Sequence, residues 1–118
     1  MSRFRGAAVL FFLAGSLLPV GDVTASTACA GAEAALESAA KALDEGLWSD
    51  AEAALQPLGT SHPDCSGVVV SLARLRAAQG DPAEAERLFS RALTLAPDDA
   101  VAHALFAHFQ LLRGLGPQ

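Results

Sequence analysis

The side chains of this chain best suited to chemistry are two cysteines, Cys29 and Cys65, and three histidines, His62, His103 and His108. Two histidines hold a metal from one helix face when they stand four residues apart. His103 and His108 stand five apart, which on a helix turns them about 140° away from each other. His62 lies in a turn signal beside Pro63. There is no glycine-rich phosphate loop, no H-E-x-x-H, no C-x-x-C and no G-x-S-x-G elbow, so every short motif with a strong catalytic mechanism is missing. Serine, histidine and acid occur without a spacing that would single out a triad. The expectation is a protein that is not an enzyme, with no metal site and no cofactor, whose histidines are ordinary surface or packing residues. What remains is thiol chemistry, and its outcome depends on where the chain resides.

The first residues address that question. Arg3 and Arg5 precede an uncharged run from Gly6 to Val20 that contains Leu10, Phe11, Phe12, Leu13, Leu17 and Leu18. A basic start followed by a short apolar run is the pattern of a secretory signal. The run is closed by Pro19, Gly21 and Asp22, short of the roughly 20 residues that span a bilayer. Small residues at Val23 and Ala25 suit cleavage after Ala25, giving a signal peptide over 1–25 and a working domain over 26–118; Ala28 and Ala30 offer a later cut, after Ala30. The protein is therefore expected to be exported, periplasmic or secreted, with no membrane insertion of the mature domain. Three fates stand open for Cys29. It is discarded by the later cut, or lipidated within Ser26-Thr27-Ala28-Cys29, or kept as a cysteine. Exported chains with an even cysteine count usually pair them, so a Cys29–Cys65 bridge is expected, with two free thiols as the alternative. Lipidation, or a start left uncleaved as a signal anchor, would make the protein a membrane-tethered subunit of an envelope complex instead of a soluble one.

Charge excludes a further class. The net charge is −5, and a nucleic-acid surface needs a basic face, so no nucleic-acid partner is expected. The acid is concentrated: residues 32–65 hold seven carboxylates against one lysine, whereas residues 66–99 hold five against four arginines.

The elements that position these residues come from a repeat. Gly46, Gly80 and Gly114 are 34 residues apart, as are Ala39, Ala73 and Ala107, and the same interval links Ala51 with Ala85, Leu55 with Phe89 and Pro63 with Pro97. A period in this range marks stacked helical units that bury their apolar faces on one another. Abundant alanine and leucine, with β-branched residues dense only at Val68–Val70, favour helix over sheet. First helices are expected over 32–45, 67–79 and 100–113, each closed by one of the three glycines in a left-handed conformation. Second helices are expected over 50–59 and 82–95. Ser49-Asp50-Ala51-Glu52 reads as a capping box, Asp81-Pro82-Ala83-Glu84 as an acidic N-cap with proline in the first turn, and Asp98-Asp99 as the start of the last helix. Pro57 is expected to kink or truncate its helix. Both cysteines precede a first helix one repeat apart, so their backbones would share an edge.

The segment from Gly80 to Pro97 resembles the second half of a tetratricopeptide repeat, with Ala85 and Phe89 at the family's A-x3-F positions and Pro97 at the right distance after them. The resemblance extends over residues 32–113, as two repeats (about 32–65 and 66–99) and a terminal helix (100–114). It implies an all-α fold, a short solenoid of stacked antiparallel helix hairpins. It also implies a module that binds a protein or peptide partner on the concave surface of its first helices, as an adaptor or assembly factor. The inward positions nominated are Glu33, Leu36, Glu37 and Ala40, then Val70, Arg74 and Ala77, then Val101, Leu105 and His108. The last helix adds Phe106, Phe109, Leu111 and Leu112, an apolar end face with no following helix to cover it, which suggests a homodimer or a partner contact there.

Overall fold

Five helices form in the computed structural model, which describes residues 27–115: α1 (Glu33–Asp44), α2 (Trp48–Ser61), α3 (Ser66–Ala78), α4 (Pro82–Leu95) and α5 (Ala100–Leu115). The described residues contain no strand, and the expected signal peptide lies outside them. α1 with α2 and α3 with α4 make two hairpins, and α5 begins a third.

The two hairpin turns are built alike. Gly46 (φ 75°) and Gly80 (φ 81°) are left-handed, the conformation glycine reaches without a Cβ penalty. Beyond each glycine an amide folds back on the helix it leaves, Leu47 N to Ala42 O at 2.8 Å and Asp81 N to Arg76 O at 2.9 Å. These are the bonds that satisfy orphan carbonyls in a Schellman ending. Gly114 departs from the expected pattern. It lies inside α5, and its backbone is not left-handed. The left-handed residue belongs to the reversal into a second helix, and among the described residues none follows α5.

The helix starts show which capping signals count. Asp81 accepts a hydrogen bond from the amide of Glu84 at 3.2 Å with Pro82 beside it, and Asp99 accepts from Val101 at 3.0 Å and Ala102 at 3.2 Å. The expected capping box at Ser49 does not form. α2 starts at Trp48, two residues ahead of the expected Asp50, and its N-cap, Leu47, makes no side-chain bond. Leu47 is the 34-residue equivalent of Asp81, so the turn geometry fixes the start and leaves Ser49 within the first turn. Asp81→Ala should therefore cost about 1 kcal/mol and Ser49→Ala well under that; equal losses in urea unfolding would contradict the assignment of the caps.

Glu52, freed from the box, accepts from Arg76 at 2.9 Å and from Gln79 at 3.3 Å, clamping α2 to α3. The hydrogen bond from Arg76 holds the Glu52 carboxyl below the usual range of glutamate. Pro57 also behaves differently from expectation, for α2 runs through it to Ser61. The amide it lacks would have bonded to Ala53, and both residues are exposed, so water can take that carbonyl.

The core is shared between two clusters with α3 between them. Leu55 and Leu58 of α2 pack with Ala39, Ala42 and Leu43 of α1 and with Val68 and Leu75 of α3. On its other side α3 presents Val69, Val70 and Ala73 to Ala85, Leu88, Phe89 and Ala92 of α4. A helix covered on two sides is apolar around much of its circumference, which accounts for the Val68–Val70 run. Alanines at 39, 51, 73, 85 and 92 are fully buried, letting backbones approach, while Phe89 fills the space between them.

Cys29 and Cys65 form a disulfide, with the Cα atoms 4.8 Å apart. It ties a single helical turn at 27–29 to the residue just before α3. His62 reinforces the same junction, its Nε2 lying 2.7 Å from the carbonyl oxygen of Ala30 and its Nδ1 2.7 Å from Ser61 Oγ. This histidine is a local tie between α2 and the first turn. His103 plays a similar part, with Nε2 2.7 Å from Pro97 O.

A candidate protein-binding groove

The repeat brings the first helices side by side, α1 against α3 and α3 against α5, and a shallow surface runs across them. One concavity of about 300 Å³ is lined by Leu36, Glu37 and Ala40 from α1, by Val70 and Arg74 from α3, and by Val101 and Leu105 from α5. An adjoining one of about 360 Å³ shares Arg74 and Leu105 and adds Ala77 and His108. Nine of the ten nominated inward residues thus line one continuous surface. Glu33 is the exception: its Oε1 accepts from the amide of Gly31 at 3.0 Å, so it closes the start of its own helix.

Four residues of the first concavity escaped nomination: Gly67, Ser71, Asp99 and Ala102. Two of them were legible. Gly67 lies midway in register between Glu33 and Val101, and Ser71 between Glu37 and Leu105, so strict use of the 34-residue period places both on the surface. Ser71 donates its hydroxyl to Gly67 O at 2.9 Å and so presents little polarity. Asp99 lines the same concavity while capping α5.

The electrostatics are one-sided. Arg74, the one arginine or lysine lining these two concavities, places Nη2 2.9 Å from Asp44 Oδ1. Glu37 makes no ion pair or hydrogen bond with a side chain among the described residues. The floor is aliphatic, made of Leu36, Ala40, Val70, Ala102 and Leu105. Such a surface buries apolar side chains and places charge at its rim. Among the described residues no group of three or more His, Cys, Asp or Glu is placed to hold a metal ion.

The end face is smaller than the sequence implied. Phe106 and Phe109 turn inward onto Phe89, with ring centroids 5.3 and 5.4 Å from it, and Phe109 is buried. Residues 106 and 109 share the inner side of the helix, whereas Leu111 falls on the far side. Leu112 lines the second concavity with Phe109. The bare side of α5 therefore carries exposed Leu111 with exposed Ala104 and Ala107. Val101, Leu111 and Leu112 nevertheless stay exposed on α5, and a contact between copies through this helix stays a proposal.

The tetratricopeptide-repeat family model matches residues 30–109 and again 76–118. The chain belongs to the tetratricopeptide-repeat family. No curated protein and no solved structure matches it. Tetratricopeptide repeats generally serve as protein–protein interaction modules, typically without catalysis, and the nominated inward positions were those that this family would place on its concave surface. None of the helices among the described residues is long and apolar enough to cross a membrane.

Proposed function

We propose that this tetratricopeptide-repeat protein is exported and works outside the cytoplasm as an adaptor or assembly factor, holding a segment of a partner protein on the concave face of α1, α3 and α5. The observation that supports the reading is that nine of the expected inward residues line one surface with an aliphatic floor. A photo-crosslinking side chain at Ala40, on this surface, is expected to trap a partner in cells that export the protein, while the same group at exposed Ala53 on α2 is not. Equal trapping from both positions would contradict the groove.

Export is supported by the basic and apolar start of the sequence and by the disulfide, since such bonds persist in oxidising compartments. The bridge bears on processing as well. Cleavage after Ala30 would remove Cys29, and a lipid thioether would use the sulfur that Cys65 holds, so the bridge favours cleavage after Ala25 and disfavours the lipoprotein alternative. The intact mass of the exported protein should correspond to a chain starting at Ser26 and lacking two hydrogens. A mass starting at Gly31, or one carrying a lipid, would overturn this proposal.

A further inference from the structure

The charges around the groove select what can lie in it. Glu37 stands on α1 and Asp99 at the start of α5, both lining the concavity whose floor is aliphatic. Glu37 is exposed and meets no cation among the described residues. Asp99 uses Oδ1 to cap two amides, leaving its second oxygen without a donor among the described residues. Arg74 could have received an acidic residue of a partner, but its guanidinium already bonds to Asp44. Lysine is absent from the lining. An acidic segment lying on the first concavity would meet two carboxylates and, among the described residues lining it, no cation besides the Arg74 already bonded to Asp44, while a basic one would pair with both.

We infer that the occupant of the groove is a segment of a partner protein that sets aliphatic side chains on the floor and carries lysine or arginine beside Glu37 and Asp99. This rests on the groove reading above and adds the chemistry of the partner. Burial on the floor provides the bulk of the attraction, and the rim charges choose between sequences, as charge complementarity does at interfaces generally. Like charges brought together at the rim disfavour a partner, so acidic segments are rejected as well as basic ones accepted.

Random linear 12-residue peptides displayed on phage, selected on the oxidised protein, provide the test. The selected pool is expected to be rich in leucine, isoleucine or valine together with lysine or arginine. Its best member, measured by fluorescence anisotropy, should bind roughly tenfold more weakly to Glu37→Lys, as expected for reversing one rim charge that discriminates by about 1.4 kcal/mol, and more weakly in high salt. Ala40→Phe, which fills the floor, should abolish binding; circular dichroism establishes that both variants fold. An acidic or uncharged pool whose binding ignores Glu37→Lys but is lost in Ala40→Phe would overturn the inference and leave the groove standing. Binding that survives Ala40→Phe, or a failure to select any peptide, would remove the groove and the inference together.

Discussion

Phe89→Ala should destabilise the protein by about 3–5 kcal/mol, the range for removing a buried aromatic ring and leaving a cavity. That is a large part of the 5–15 kcal/mol typical of a whole domain. Phe89 is 2% exposed and lies between α4 and α5, its ring 5.3 Å from Phe106 and 5.4 Å from Phe109. Two aromatic contacts add to the burial, and both belong to α5, so the terminal helix should lose its seat when the ring goes. Urea unfolding followed by circular dichroism checks the magnitude, and limited proteolysis within α5 checks the location. Phe89→Leu, which keeps the residue apolar, should cost much less. A loss under about 1 kcal/mol for alanine would mean that α5 is held by something other than this cluster.

Removing the Cys29–Cys65 bridge is expected to have the second largest effect. The cysteines are 36 residues apart, and closing a loop of that length is worth about 3–4 kcal/mol through the entropy of the unfolded chain. The bridge spans the whole first hairpin, the one with Pro57 in its second helix and no side-chain cap on either helix. Cys29→Ala/Cys65→Ala should therefore lower the unfolding midpoint strongly, with the loss concentrated in α1 and α2. Amide hydrogen exchange resolves this: protection should fall in α1 and α2 and persist in α3 and α4. Uniform loss of protection would contradict the view that the second hairpin is the better packed one.

These two results mark what the sequence reveals and what it conceals. The stack, its period and the extents of α3 and α4 were readable because each turn glycine, small buried alanine and central Leu55 or Phe89 recurs at one interval. The inward positions follow from the tetratricopeptide resemblance, and nine of the ten line the two concavities across α1, α3 and α5. Local signals were less dependable. Ser49 looked like an N-cap, but the residue in the capping register is Leu47, and register follows from the left-handed turn at Gly46. Glu33 fell on the inward stripe by spacing, but an acid in the first turn of a helix has a free amide within reach and took Gly31. Phe106 and Phe109 looked like an open end face, but their spacing of three residues puts both on the side that meets Phe89. Gly67 and Ser71 went unseen because small side chains send no hydrophobic signal, even where the period reserves a place for them. The tie from His62 to Ala30 could not be read at all, because it joins two turns of irregular backbone.

The groove can be tested residue by residue. Amide resonances of the oxidised protein would be followed by NMR while the best peptide from the phage selection is titrated in. The predicted shifts cluster at Leu36, Glu37, Ala40, Val70, Ser71 and Leu105, the lining of the first concavity, and leave the exposed positions Gln56 of α2 and Ser90 of α4 unmoved. Shifts centred on α2 and α4, with the first helices silent, would contradict a protein that binds its partner on the concave face of its repeats.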